Sequence, residues 1–361
     1  MGLDASLRSH SGGDADSLSL ASTFPGEDAP RDITHSLCTL MSYLMTSEED
    51  ALPSSGLPAA TPAPAAAGLP ATVPSWLRIL CRLTARLPRG HGRLLQALAR
   101  LCKPLQTVQV QLTSGSLWLD LRESACIPLY REGGYRHALP SHHILARFLN
   151  EAMTVFDVGA NIGYFTAFFS RHLPRGGRVI AFEPMPRALR LLGLNAQLCP
   201  GEIIVIPSAV GPASGIARCQ ERPQLDTSYV TFDSAASQGA RVDVVTLDAA
   251  AERYGQPDLV KLDIEGAELL ALRGATNILS NQHPPIVLVE YIEPMAARFG
   301  VYSLAQLCEV FSGNGDYEIY RVCQPGVLCA ADAVEDHGPE ATSDWLAVPG
   351  CKRALVASFV R

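Results

Sequence analysis

Thr154-Val-Phe-Asp-Val-Gly-Ala-Asn-Ile-Gly-Tyr-Phe-Thr166 decides the fold. Val155 to Val158 reads as a short buried strand, the residues to Gly163 as a glycine-framed turn, and the rest as the start of a helix. Asp157 closes the strand, and Gly159 and Gly163 sit where residues without a Cβ are best tolerated. A turn of this kind brings a ligand against backbone N–H groups at a helix N-terminus, where the helix dipole favours a carboxylate or phosphate. Farther along, Arg178-Val-Ile-Ala-Phe-Glu-Pro184 is a second β-rich run that ends in an acid, Glu183. An acid at the tip of the second strand of a doubly wound sheet is placed to grip a ribose diol.

The turn also discriminates between nucleoside cofactors. A dinucleotide fingerprint places a second glycine where a pyrophosphate meets the backbone, and this chain has Asn161 there, with an acid, Asp157, before the turn. A cofactor with an amino-acid tail suits the pattern better, its carboxylate on the turn and its ammonium toward Asp157. That describes S-adenosyl-L-methionine, with a dinucleotide-dependent oxidoreductase as the alternative.

Composition narrows the class. The 361 residues carry 29 basic and 36 acidic side chains, a net charge of −7, which gives no electrostatic case for nucleic acid. No apolar run approaches the roughly 20 residues of a transmembrane helix, and Met1-Gly-Leu-Asp-Ala-Ser lacks the regions of a signal peptide. The ten cysteines form no Cys-x-x-Cys pair, so neither disulfides nor zinc are expected, and the cytoplasm is the default location.

Residues 1–75 are rich in Ser, Asp, Ala, Pro and Gly and read as a disordered or low-complexity region, with an Ala/Pro linker from Pro53 to Pro74 and one apolar island from Ile33 to Met45. Residues 76–150 read as a helical and β-hairpin extension. Trp76 to Lys103 is helical, broken at Pro88-Arg-Gly90, with a basic face along Arg78, Arg82 and Arg86; a solvated face is the plain reading and a membrane-surface helix the sharper one. Val108 to Leu121 alternates around Ser114-Gly115 as a hairpin, followed by a loop at 130–135 and a helix over 141–150.

From 151 to 361, strands expected at 155–158, 179–183, 203–206, 259–263 and 286–291 alternate with helices at 163–172, 186–198, 266–280 and 303–312. That rhythm predicts an α/β fold, a doubly wound, mostly parallel sheet covered on both faces. Tyr317 to Val322 and Trp345 to Val348 complete its far edge as an antiparallel pair, Arg241 to Leu247 adds a strand, and 212–240 reads as an insertion.

A second constellation follows the fourth strand, in Leu259-Val-Lys-Leu-Asp-Ile-Glu-Gly-Ala-Glu268. Chemistry in such sheets gathers at strand carboxyl ends. Glu265 and Glu268 are accounted for by a favourable helix dipole alone. Lys261 and Asp263 are not, because two charges on an apolar strand need partners; an internal Lys261–Asp263 pair is the structural answer and a role for Asp263 or Glu265 in chemistry the functional one.

These motifs together, with Val245-Thr-Leu-Asp248, resemble the FkbM-type S-adenosylmethionine-dependent methyltransferases over roughly residues 108 to 325. The resemblance implies a seven-stranded, Rossmann-like methyltransferase sheet over 151–361 and methyl transfer, commonly to a hydroxyl of a sugar, polyketide or related small molecule. It implies that Asp157, Gly159, Asn161 and Gly163 hold the methionine part of the cofactor, with a hydroxyl contact from Thr166. Glu183 takes the ribose hydroxyls, Ser208 and Ala209 lie near the adenine, and Asp263 stands beside the methyl group. It says nothing about residues 1–75, for which docking to a protein partner is an open reading.

Methyl transfer is an in-line displacement, and a hydroxyl acceptor benefits from a base or a metal ion. Asp263 and Glu290, which ends Ile286-Val-Leu-Val-Glu-Tyr291, fall on neighbouring strand ends. They are expected to flank the acceptor hydroxyl, as a base with a supporting acid or as oxygen ligands of a divalent cation such as Mg²⁺. His142, ahead of the first strand, is a further candidate base, with a lid or surface group as its plainer reading. The segments 121–145 and 212–240 are expected to shape the acceptor pocket with Arg122, Arg131, Arg136, Gln220 and Tyr229. A module that kept the fold and lost catalysis is the remaining alternative.

Overall fold

The computed structural model describes residues 91–101, 106–149, 151–220, 222, 228–232, 239–301, 303–330 and 343–361. The expectations for 1–75, for the helix before His91 and for its basic face lie outside the described residues.

Helix α1 (His91–Leu101) precedes a hairpin of β1 (Thr107–Leu112) and β2 (Gly115–Asp120), whose two-residue turn is Thr113-Ser114. Helices α2 (Cys126–Glu132) and α3 (Leu139–Phe148) follow. The loop expected at 130–135 is therefore shorter: its first three residues belong to α2, which ends where Gly133 takes a left-handed φ of 77°.

Then the alternation begins. β3 (Thr154–Val158), α4 (Tyr164–His172), β4 (Arg178–Phe182), α5 (Pro186–Ala196) and β5 (Glu202–Ile206) form the first half. After an insertion come α6 (Leu247–Tyr254), β10 (Leu259–Leu262), α7 (Glu268–Arg273), β11 (Ile286–Tyr291), α8 (Leu304–Asn314), β12 (Tyr317–Cys323), β13 (Val327–Ala330) and β14 (Ser343–Pro349). The single helix expected over 266–280 is two, because Gly274 ends α7 and a separate turn runs Thr276–Leu279.

The central sheet has eight strands in the order β13-β12-β14-β11-β10-β3-β4-β5. The five from β11 to β5 are parallel, and β14, β12 and β13 add an antiparallel edge, so β13 is one strand beyond the seven expected. Successive side chains alternate between faces. Phe156, Val158, Ile180, Phe182, Val260 and Leu262 pack on one side with α6, α7 and α8, while Val155, Val179, Leu259 and Leu288 face α3 and α4 on the other. The order of succession reverses between β3 and β10, which opens the crevice where doubly wound sheets bind ligands.

The insertion is structured. β6 (Ser208–Val210), β7 (Gly215–Gln220), β8 (Tyr229–Thr231) and β9 (Ala240–Val245) form a second sheet in the order β6-β9-β7-β8. The hairpin of β1 and β2 is fastened to the main sheet by the buried Asn195 of α5. Its amide oxygen accepts from Trp118 N at 2.6 Å, and its nitrogen donates to the carbonyls of Trp118 (3.1 Å) and Ile162 (2.7 Å). Among the described residues, no helix is long and apolar enough to cross a membrane.

Candidate active site

A cavity of about 530 Å³ opens at the carboxyl ends of β3, β4, β10 and β11. Gly159 and Asn161 from the first turn, Glu183 after β4, Ser208 and Ala209 of β6, Asp263 and Glu265 after β10, and Glu290 of β11 all line it. Asp157, Gly163 and Thr166 are not among the residues that line it.

The turn is built by close approach. Gly159 has φ +76°, and a Cβ there would lie 1.8 Å from the Asp263 carbonyl oxygen. Only hydrogen fits, which is how the ends of β3 and β10 come together. Asn161 and Glu265 carry positive φ values of 48° and 61°, and both face the cavity. Strained non-glycine residues persist where the surrounding structure over-determines them, and they cluster at working sites. Gly266, at φ +103°, meets the backbone of Met295 in the same way.

Asp157 is fully buried beneath the turn. Its carboxylate accepts from Thr166 Oγ1 at 2.6 Å and lies 3.7 Å from Lys261 Nζ. The Thr166 hydroxyl is thus committed to Asp157, and Gly163 packs against Leu192. Burial raises the Asp157 pKa, and the Lys261 charge and the Thr166 bond only partly oppose this.

Lys261, the register partner of Asp157 across β3 and β10, is 4% exposed. Its ammonium lies 3.0 Å from Asp263 Oδ2, donates to the Gly159 carbonyl at 3.2 Å and stands 5.0 Å from the Phe165 ring centre. Burial works to lower its pKa, but the charges of Asp263 and Asp157 prevail and raise it. The internal Lys261–Asp263 pair is therefore present, and its acid lines the cavity.

Glu183 is buried and receives backbone N–H bonds from Asn161 and Met185, each 2.8 Å. Burial pushes its pKa up to about 7 against those bonds. Glu183 thereby fixes the glycine turn after β3 while lining the cavity. Glu268 has a local role: Oε1 accepts from Ile264 N (2.8 Å) and Gly266 N (3.2 Å), fixing the loop after β10.

Asp263 and Glu290 form a hydrogen-bonded pair. Burial would raise Asp263, but Lys261 outweighs it and holds the carboxyl below its ordinary value. The Asp263 charge first, and burial second, push Glu290 up to about 11. The protonated form is thus favoured at Glu290 and the ionised form at Asp263. Asp344, which faces Glu290 across β11 and β14, is hydrogen-bonded by the Ser141 hydroxyl and raised chiefly by burial.

Among the described residues, no group of three or more His, Cys, Asp or Glu side chains is placed to hold a metal ion. The Mg²⁺ alternative therefore has two oxygen donors and no third ligand of those types.

His142 is buried against Phe168, with ring centres 3.9 Å apart and planes 4° from parallel. Burial drives its pKa down to about 3, and it does not line the cavity, which corrects its reading as a candidate base. His137 does line it, stacked on Tyr135 at 5.2 Å, and nothing beyond its place in segment 121–145 marked it in the sequence. Of the acceptor-pocket residues expected, Arg136 and Tyr229 reach the cavity; Arg122 instead pairs with Asp120, and Arg131 and Gln220 are not in its lining. Arg222 and Arg298 flank the Tyr229 ring at 5.4 and 5.3 Å.

The model of the methyltransferase FkbM domain matches residues 157–348, more than half of the chain. No curated protein matches it. Among solved structures, methyltransferase FkbM from Methylobacillus flagellatus is 21% identical with a TM-score of 0.36, the match covering 54% of this chain and 43% of that one. The O-methyltransferase of Bacillus cereus in complex with SAH is 9% identical (TM-score 0.34; 75% and 97% covered), and an S-adenosylmethionine-dependent O-methyltransferase of Thermotoga maritima is 12% identical (0.32; 66% and 76%). The chain thus spans under half the length of that first solved relative, and superpositions this loose carry no argument about chemistry. The domain match, covering both the glycine turn and the Lys261–Glu268 motif, shows that the chain belongs to the FkbM methyltransferase family.

Proposed function

We propose that the protein transfers a methyl group from S-adenosyl-L-methionine to a hydroxyl oxygen of a small molecule, of the sugar, polyketide or related metabolite class. One observation carries this reading: Gly159, Asn161, Glu183, Ser208, Ala209 and Asp263 converge on a single cavity at the switch point of the sheet.

In this reading the methionine moiety lies along Gly159 and Asn161, Glu183 accepts from the ribose hydroxyls, and Ser208 and Ala209 border the adenine. Asp157 and Thr166 act from below by fixing the turn, and Gly163 lets α4 pack against α5. Asp263, kept ionised by Lys261, supplies negative charge where the acceptor loses its proton, while Glu290 holds Asp263 by the shared proton. Glu265 borders the same end of the cavity. Catalysis is then chiefly positioning, since the sulfonium already activates the methyl carbon. No step is routed through Mg²⁺.

Calorimetric titration with S-adenosylmethionine, and with NAD as control, tests the cofactor. Micromolar binding of the methyl donor that weakens at least tenfold in Glu183→Ala is expected. Binding of NAD in its place would overturn the reading in favour of an oxidoreductase, and binding of neither would leave the fold as a scaffold.

A further inference from the structure

The methyl-transfer reading leaves one thing unassigned: the group that receives the acceptor's proton. Glu290 is raised, which favours its protonated form, and Asp263 is held below its ordinary range, which makes it a weak base. Asp157 is sealed beneath the turn and His142 is stacked inside the α3–α4 layer.

His137 differs from all of these in position. It lines the main cavity with Asp263 and Glu290, and it also lines a small pocket behind it, of about 20 Å³, with Lys261, Asp263, Glu290 and Asp344. Its side chain is exposed, so a proton arriving there has a path to water. It is also held in place: the ring stacks on Tyr135, whose hydroxyl donates to the Ala125 carbonyl at 2.9 Å and whose N–H donates to the Tyr164 hydroxyl at 3.3 Å. An imidazole accepts a proton near neutral pH, and a neighbouring carboxylate stabilises the imidazolium. Asp263 lines both pockets together with His137 and is the carboxylate placed for this.

We infer that His137 is the general base of the methyl transfer, with Asp263 as the carboxylate that stabilises its protonated form. The inference rests on the proposed methyltransferase reading. In the step, a lone pair of the acceptor oxygen forms the bond to the methyl carbon. The carbon–sulfur bond breaks with its electron pair on sulfur, converting sulfonium to thioether, and the hydroxyl proton passes to the imidazole. Charge is conserved: the sulfonium cation is consumed as the imidazolium cation appears.

The charges around His137 are few. Asp263 and Lys261 face it from β10 and its following loop, Glu290 from β11 and Asp344 from β14, with Arg136 adjacent in the chain and tied to Glu132 at 2.7 Å, and His142 behind in α3. Lys261 is bridged to Asp263 and Asp157, and Glu290 favours its protonated form, so Asp263 is the charge that changes most when substituted.

The test needs no acceptor. The His137 ring signal is assigned by NMR through its loss in His137→Gln, and titrated in the full chain alone, with S-adenosylmethionine and with S-adenosylhomocysteine. The two ligands differ by the methyl group and by one charge at sulfur. A base beside the transferred methyl should titrate at least about 0.5 pH unit lower with the sulfonium than with the thioether, the size of one unit charge a few ångströms away through water. Asp263→Asn should lower the titration of the cofactor-free protein. Equal titrations with both ligands bound, or no response to Asp263→Asn, would overturn the assignment of His137 while leaving the methyltransferase reading intact. Failure of both ligands to bind would overturn the two together.

Discussion

Replacing Lys261 with Met should destabilise the protein in a pH-dependent way. Lys261 is almost fully buried, and its ammonium is shared by two carboxylates and a carbonyl. The two carboxylates are not equivalent. The Asp263 side chain is 36% exposed and regains water once the lysine is gone, whereas Asp157 is 0% exposed and keeps the Thr166 hydroxyl as its hydrogen-bond donor. Removing one member of a buried pair costs about 3–5 kcal/mol because a charge is left without compensation. For a domain of this size that is a melting-point loss of about 6–20 °C.

The pH dependence follows from Asp157. Its folded pKa already lies above the unfolded value, so the folded state binds the proton more readily. For such a group, stability is greatest at low pH and is lost as pH rises through the folded pKa. Lys261→Met pushes Asp157 further up, so the deficit of the variant should be largest near pH 8 and shrink toward pH 5, by up to about 1.4 kcal/mol per pH unit. Urea unfolding of both proteins at several pH values measures this. Lys261→Met with Asp157→Asn should recover most of the loss, since an amide leaves no charge to compensate. A loss of the same size at pH 5 and pH 8, or no recovery in the double variant, would refute the argument.

His142→Phe should make the protein more acid-resistant. A histidine whose pKa is lowered to about 3 contributes a stability that is present above the unfolded pKa near 6.5 and lost on acidification, so the variant should lose less stability between pH 7 and pH 5 by circular dichroism, with cofactor affinity unchanged. Gly159→Ala should abolish cofactor binding in calorimetry, since its Cβ would fall 1.8 Å from the Asp263 carbonyl oxygen and the turn must open to admit it; wild-type affinity would sink the close-approach argument. Asn195→Ala should cost on the order of 3 kcal/mol in urea unfolding, because three buried backbone groups of Trp118 and Ile162 lose their partner; a change under about 1 kcal/mol would show that water replaces the amide.

The alternation of strand and helix was legible because each parallel strand is a short apolar run followed by an amphipathic helix, and β3, β4, β5, β10 and β11 fall within a residue or two of the expected bounds. Of the second sheet, β9 was legible as the strand expected over Arg241 to Leu247, and its neighbours were not. The segments around β7 and β8 are short and only partly buried, so they carry no clean period-2 signal. Gly274 divides α7 from the next turn for a tertiary reason, since a Cβ there would meet the Gly211 carbonyl at 2.4 Å. In the site, glycine spacing and strand-end acids pointed to the residues around the cavity, but not to their depth. Asp157 ends a strand as Glu183 nearly does, yet one lies under the turn and the other lines the cavity. His137 and His142 are five residues apart with the same chemistry, and only the path of the chain into α3 places one at the cavity and the other in the core.

That contrast explains why the Lys261–Glu268 motif belongs with the glycine turn. β3 and β10 are parallel neighbours, so Asp157 and Lys261 are brought side by side by register alone. The lysine then bonds the Gly159 carbonyl of the turn and pairs with Asp263 at the end of its own strand. Gly159 meanwhile touches the Asp263 backbone so closely that neither strand end moves without the other. A lysine shortened or uncharged would leave Asp157 uncompensated beneath the turn and remove the polar link between the Gly159 carbonyl and Asp263. In an in-line transfer that position is most of what the protein supplies, because misplacement by about 1 Å is enough to cost about 100-fold in rate. The buried ammonium thus ties the glycine turn after β3 to the acid that follows β10.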